Sequence, residues 1–392
     1  MRLKDITILS PQYTGKDIDN NVSFVPMESL RNGNIDYQDI SFQQAKGKYT
    51  YFGNGDLLVA KVTPCFENGN IAIAKNMLHD TGFGSSEIFV LRPYKQVTSE
   101  YLFFLFQTRD FQDKACATMC GVGGLKRISP LFMRTYELHT PSLEEQNKMV
   151  AYLDSKLSEI DRQVSLLTSK RDAYLRLKKS IINRAVTKGL NPNVKMKDSG
   201  IDWIGEVPEG WEACRIKDFI TLKTNPSFSD VKIGLENIEG KSGKFVKTDT
   251  EFEGNGIAFK KDDIVYGKLR PYLQKVWIAE FEGNAVGDFY VFSAKGNAVP
   301  TYIKYLFLSD GFTYEVNSST AGAKMPRVSS NFILTMCYCL PTKTEQHSIA
   351  TYLDDKCSKI DLIIANLDKQ ISKYGELKRS LIDEVITGKR AV

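Results

Sequence analysis

Between residues 141 and 189 apolar and polar positions alternate with the period of a coiled coil, and they do so again from 341 onward. Leu153, Ile160, Leu167, Tyr174 and Ile181 recur at every seventh position, as do Leu353, Ile360, Leu367, Tyr374 and Leu381. Leu157, Val164, Ile364 and Ile371 widen the two stripes. A heptad pattern sustained over this length predicts a long helix packed along its seam against another helix. Each run opens with a capping signature, Ser142 with Glu145 and Thr342 with Glu345. There the hydroxyl accepts from an orphan backbone N–H while the carboxylate reaches back to the cap. Gly189 and Gly388 supply the stops. At about 1.5 Å per residue, ~45 residues make a rod of roughly 65 Å. The natural mate for each helix is the other, in antiparallel pairing.

The two runs are copies of one another. Pro141-Ser-Leu-Glu-Glu-Gln146 stands against Pro341-Thr-Lys-Thr-Glu-Gln346, an offset of 200 (341 against 141). The offset holds without a gap through Tyr152-Leu-Asp154 and Tyr352-Leu-Asp354, Ile160-Asp161 and Ile360-Asp361, and Leu177-Lys178 and Leu377-Lys378. The segments before the helices repeat more loosely. Arg2-Leu-Lys-Asp-Ile6 matches Arg215-Ile-Lys-Asp-Phe219, and Gly55-Asp-Leu-Leu-Val-Ala-Lys61 matches Asp262-Asp-Ile-Val-Tyr-Gly-Lys268. Glu87-Ile-Phe-Val-Leu91 matches Asp288-Phe-Tyr-Val-Phe292, and Tyr101-Leu-Phe-Phe-Leu105 matches Tyr302-Ile-Lys-Tyr-Leu306. The predicted class is therefore α+β: two pseudo-repeated mixed domains, 1–140 and 205–340, separated by two long antiparallel coiled-coil helices, 141–189 and 341–392. The connector 190–204 contains Asn191-Pro192, several polar residues and Gly200, and reads as a linker.

At 392 residues the chain suits two domains with connecting structure, and its 42% hydrophobic and 25% charged residues are those of a soluble globular protein. The apolar stretch Tyr101–Phe106 is too short to span a bilayer and predicts a buried helix. Met1 is followed by Arg2, Lys4 and Asp5 rather than an apolar leader, which places the protein in the cytoplasm with no membrane role. Cys116 and Cys120 suit one helix face, and Cys337 and Cys339 one face of a strand. With only His79, His139 and His347 to accompany them, the seven cysteines read as packed thiols rather than a metal site. A net charge of +5 is compatible with nucleic acid without requiring it.

Two segments carry partial catalytic signals. Gly240-Lys241-Ser242 ends like a phosphate-binding loop, but the first glycine would have to stand at 235, where Leu235 is found. Asp230, Glu239 and Lys241 could assemble a Mg-dependent endonuclease centre, but the first domain has no counterpart. What repeats instead is basic. Gly121-Val-Gly-Gly-Leu-Lys-Arg127 and Ala321-Gly-Ala-Lys-Met-Pro-Arg327 are small-residue loops carrying cations at matched places. Lys61 and Lys268 end matched strands, with Arg270 beside the second. Glycine admits a close backbone approach to phosphate, and arginine can read guanine bidentately. Lys61, Lys126, Arg127, Lys268, Arg270, Lys324 and Arg327 are the candidate DNA contacts, and no residue is assigned a catalytic or metal-binding role.

The paired P-x-x-x-E-Q helices, the paired Lys61…Pro64 and Lys268…Pro271 segments, and Trp203-Ile-Gly-Glu-Val-Pro-Glu-Gly-Trp211 resemble the specificity subunits of type I restriction–modification systems along essentially the whole chain. The resemblance implies two target recognition domains, each reading half of a bipartite double-stranded DNA site, on helices that fix the half-site spacing. It implies two adenine-N6 methyltransferase subunits docked on those helices and separate restriction/translocase subunits. S-adenosylmethionine, ATP and Mg would then belong to the partners, with no cofactor in this chain. The tryptophan-framed opening has no equivalent before the first domain, so Trp203 and Trp211 are expected in packing or a joint. The rival readings are the stand-alone endonuclease and a coiled-coil scaffold that binds proteins only.

Overall fold

The structure is a computed structural model that describes every residue except Val122, Gly123, Phe228 and Ala323, together with the side chain of Ser227. Val122, Gly123 and Ala323 of the two predicted basic loops thus lie outside the described residues. The chain divides into two units, Met1–Leu167 with Lys369–Val392, and Thr168–Asp368. Both cuts fall inside the long helices, which run Leu143–Lys188 and Lys343–Ile386. Each unit is thus a mixed domain plus a segment of both helices.

In the first unit the central sheet has the order Thr7–Leu9, Ile88–Pro93, Leu57–Ala60, Ile71–Ile73, antiparallel throughout. In the second unit the same sheet is built from Ile220–Lys223, Phe289–Ala294, Ile264–Gly267 and Val276–Ile278. Leu57–Ala60 and Ile264–Gly267, the repeated apolar runs, are buried along their whole length. A short turn admits each of them through a buried acid. Asp56 accepts from the Gly53 amide at 2.7 Å, and Asp263 from the Lys260 amide at 2.7 Å. The charge is met by Arg92 in the first unit and by Lys223 and Ser293 in the second. A buried carboxylate left without such partners would cost far more than its packing contributes.

A second sheet in each unit keeps a parallel pair, Asn21–Val25 with Thr81–Gly84, and Lys232–Ile233 with Gly283–Ala285. Thr50–Gly53 and Gly256–Phe259 add antiparallel to the latter strands. The remaining edges differ. Gln38–Ser41 pairs beside Asn21–Val25, whereas Pro226–Ser227 pairs beside Gly256–Phe259.

The helix segments carry the predicted stripe. In the first unit Leu153 and Ile160 are buried with Leu381, Ile382, Val385 and Ile386 in the domain core, with Val164 and Tyr374 partly buried against them. In the second, Leu353, Cys357, Ile182, Ala185 and Val186 join the other core. Fully burying a leucine is worth about 1.5–3 kcal/mol, so these contacts hold helix to domain as well as helix to helix. The pairing is antiparallel and lies within one chain in each unit. Lys378 bonds Asp161 at 2.6 Å in the first, and Lys178 bonds Asp361 at 2.7 Å in the second, the same bond shifted by the repeat. Ile360 and Leu367 are also buried, while Leu167, Tyr174 and Ile181 are half-buried.

Each long helix starts on a buried glutamine. Gln146 Oε1 accepts from the Thr98 amide at 3.0 Å, and its Nε2 donates to Gln96 O and Pro141 O. Gln346 Oε1 accepts from the Val299 amide at 2.9 Å, and its Nε2 donates to Pro341 O at 2.8 Å. The predicted cap at Ser142 forms in full, with Glu145 accepting from the Ser142 amide at 2.9 Å. At the second helix Thr342 caps the Glu345 amide, but the Glu345 carboxylate accepts instead from Trp211 Nε1 at 3.0 Å. Trp211 is buried and Trp203 stacks on Tyr338, so both pack within the second unit. Gly189, at φ +68°, ends the first helix as predicted. The connector is more ordered than a bare linker, since Met196–Asp198 pairs with Glu206–Pro208. Tyr101–Leu105 lies in the buried helix Ser99–Leu105, and Cys337–Leu340 forms a strand.

Candidate nucleic-acid interface

At the end of the central strand Leu57–Ala60, Lys61 donates from Nζ to Ser86 O at 2.7 Å and lies 4.7 Å from the centre of the Phe89 ring. Burial pushes its pKa down, opposed by Glu87. Backbone bonding then joins this strand end to the loop: Val62 bridges Arg127, and the Ile128 amide donates to Lys61 O at 3.0 Å. The Arg127 guanidinium grips Glu87 with two bonds of 2.8 Å. Those bonds hold the Glu87 carboxyl below the usual carboxylate range. Thr63 ties the loop from inside, donating to Gly124 O at 2.9 Å and accepting from the Lys126 amide at 3.0 Å.

The second unit repeats the arrangement. Lys268 ends the strand Ile264–Gly267, 3.8 Å from Asp288 and 5.3 Å from the Tyr290 ring centre. Arg327 grips Asp288 at 3.0 and 2.9 Å, and those bonds hold the Asp288 carboxyl below its usual range. Leu269 bridges Arg327, and the Val328 amide donates to Lys268 O at 3.2 Å. The place of Thr63 is taken by Arg270, in left-handed backbone at φ +49°. Its amide donates to Pro326 O at 2.8 Å and its guanidinium to Lys324 O at 3.4 Å. Because both carboxyls are held low, the two grips persist through the ordinary carboxylate range and open only as pH falls below it, through the lowered values.

Each unit therefore brings its predicted cations together around one strand end and one loop. The geometry divides them into two sorts. Arg127 and Arg327 are each engaged by a carboxylate of their own unit, while Lys126 and Lys324 are exposed and form no ion pair among the described residues. Lys61 and Lys268 are half-buried beneath the loops.

The endonuclease candidates do not converge in this way. Glu239 accepts from Ser242 Oγ at 2.5 Å inside its own turn, and Lys241 stands at φ +66° with its amide on Gln274 O. A Cβ on Gly240 would meet Leu273 O at 2.4 Å, so that glycine serves a close approach to the protein's own backbone. No group of three His, Cys, Asp or Glu among the described residues is placed to hold a metal ion, and the seven cysteines are free thiols. Nor is any helix among them long and apolar enough to cross a membrane.

Residues 1–168 match the family model described as the type I restriction modification DNA specificity domain. Over 184 residues the chain is 28% identical to the type I restriction enzyme EcoAI specificity subunit of Escherichia coli, covering 46% of this chain and 31% of that protein. The putative type I restriction enzyme MjaX specificity subunit of Methanocaldococcus jannaschii is 22% identical over 410 residues, covering 99% of this chain and 92% of the relative. A structure described as showing complex assembly and conformational transition of the type I R-M system shares the fold, with a TM-score of 0.75, 13% identity, and coverage of 98% of this chain and 96% of that one. The HsdS subunit of Thermoanaerobacter tengcongensis shares it at 0.54 and 14% identity, covering 100% and 96%.

Over its first 168 residues the chain is thus similar to the DNA specificity domain of type I restriction–modification systems, and as a whole it shares the fold of the HsdS subunit. It spans under a third of the length of the EcoAI subunit, so what whole proteins of the family do is carried over only as a proposal. The match ends where the first unit gives way to the second. Sequence reasoning missed Glu87, Asp288 and Thr63 as members of this site. Both acids stand at the same place in the repeated Glu87–Leu91 and Asp288–Phe292 segments, which was the available signal. An acid retained opposite a retained arginine suggests an internal ion pair.

Proposed function

We propose that this chain is the DNA sequence-specificity subunit of a type I restriction–modification complex, a non-catalytic protein that binds a bipartite duplex site through its two units. The observation that carries the reading is the duplicated strand-and-loop site, with exposed Lys126 and Lys324 on loops braced at Arg127 and Arg327. Phosphate contacts from the two lysines set the register, and the parts that differ between the units read base edges. Two methyltransferase subunits dock on the paired helices, where Leu177 and Leu377, at matched positions, are 46% and 47% exposed. Restriction/translocase subunits join that complex, and S-adenosylmethionine, ATP and Mg are bound by the partners. The assembly works in the cytoplasm.

The test is methylome sequencing of cells that express this chain with and without an adenine methyltransferase partner. A bipartite N6-methyladenine motif that needs both proteins is expected; stable association of the pair with no new motif would sink the reading. On duplex carrying that motif, Lys126→Ala and Lys324→Ala should each lower the slope of log affinity against log salt by about 1 while leaving sequence preference intact. An unchanged slope would remove those lysines from the interface.

A further inference from the structure

The two basic loops share an apolar feature as well as their charge. Leu125 is 54% exposed and Met325 is 49% exposed, and they stand at the same place in the repeat. Leu131, at 68%, and Tyr314, at 72%, are more exposed, but their counterparts are the polar Asn331 and Asp113. Leu177 and Leu377 also recur, but they lie on the long helices and belong to the docking face already proposed. Exposed apolar side chains that recur beside an exposed lysine, on loops where the rest of the surface has diverged, call for a common use.

The backbone beneath them is braced. Cys120 and Arg127 exchange two backbone bonds of 3.1 and 2.9 Å, and Ala321 and Arg327 exchange two of 3.2 and 3.1 Å. The guanidinium grips on Glu87 and Asp288 fix one side of each loop, and Thr63 and Arg270 fix the other. Gly121, at φ +153°, lets the chain close so tightly that a Cβ there would meet Leu125 O at 2.2 Å. Gly322, at φ +98°, faces Met325 O in the same way, at 3.2 Å. Each apolar tip is therefore presented outward from a base that resists bending back.

We propose that Leu125 and Met325 are wedge residues, which insert against a base step of the duplex held by their own unit and partly unstack it. The proposal rests on the DNA-reading function above. Leucine and methionine are side chains suited to this use, and the cost of unstacking a step is a few kcal/mol, lowest at flexible pyrimidine–purine steps. Each wedge thus adds a preference for deformable steps that no hydrogen bond to a base edge supplies. The neighbouring Lys126 and Lys324 hold the phosphates on which the wedge bears.

The experiment uses the full chain with its methyltransferase partner and a duplex bearing the motif found in the methylome, with 2-aminopurine placed at successive positions of each half-site. Binding should raise the fluorescence at one step per half-site. Leu125→Ala should abolish the rise in one half-site and weaken specific binding roughly tenfold, and Met325→Ala should do the same in the other. Leu125→Met should keep the signal. Binding to unrelated duplex at low salt should be unchanged in all three, because no charge is altered. Specific binding with 2-aminopurine dark at every position overturns the wedge and leaves the DNA-reading function standing. Failure of the unsubstituted complex to prefer its motif overturns both.

Discussion

The two units solve the same mechanical problem with the same parts and then differ at their margins. Both have the four-stranded antiparallel sheet in one order, a buried acid at the entry to its central strand, a glutamine clasp at the start of a long helix, and an arginine–carboxylate grip at the loop. They differ in the edge strand of the second sheet, in the use of Thr63 or Arg270 to tie the loop, and in the Trp211–Glu345 bond, found in the second unit alone. Most of the parts that hold the sheet and the helix start were kept in duplicate, while the edge strand and the loop tie diverged. Such differences are what the proposed reading of two unlike half-sites requires.

The largest effects should come from the apolar seam, where the units are most alike. Leu153 and Leu353 are both fully buried between helix and domain. Leu153→Ala and Leu353→Ala should each cost about 2–5 kcal/mol, read as a fall in the urea midpoint with little change in slope. A loss below 1 kcal/mol at either would mean that its helix segment is not packed as described, and would break the equivalence of the two halves.

The glutamine clasp should come next. Replacing Gln146 by alanine strands the Thr98 amide and two carbonyls, and replacing Gln346 strands the Val299 amide and one. A buried polar group left unpaired costs about 1–3 kcal/mol, so Gln146→Ala should lower the thermal midpoint at least as far as Gln346→Ala. Hydrogen exchange at the Thr98 and Val299 amides should quicken in the corresponding variant. Unchanged protection there would show that the clasp bonds do not form.

What the sequence revealed, and what it hid, follows from the range of the interactions. The long helices were legible because their signal is local: seven-residue spacing, a cap at Ser142 and a stop at Gly189 all sit within one element. The copy made the second helix legible at once. The job of Gln146 and Gln346 was hidden although both recur in the repeat, because the amides they hold lie 48 and 47 residues away. Glu345 matched the capping signature, yet its carboxylate is taken by Trp211, 134 residues away. At the loops the cations were legible as charge, but which of them are free was not. That depends on Glu87 and Asp288, brought alongside only when distant strands pair.

The finest test compares one bond in two settings. Lys178–Asp361 and Lys378–Asp161 are images of each other in the helix repeat, but their exposure differs. The first pair is 12% and 21% exposed, and Asp361 also meets Lys244 at 3.2 Å from the Glu239–Lys244 turn. The second pair is 32% and 60% exposed. Water and salt screen an exposed ion pair, whose worth is about 0–1 kcal/mol. Removing one partner of a largely buried pair leaves the other charge poorly compensated. Asp361→Asn should therefore cost about 1–3 kcal/mol, little altered between low and high salt. Asp161→Asn should cost about 1 kcal/mol or less, vanishing as salt is raised. Double-mutant cycles with Lys178→Met and Lys378→Met isolate the two coupling energies. Equal couplings with equal salt dependence would mean that the packed turn gives the second unit no extra hold on its helices, and the repeat would then be mechanically symmetric after all.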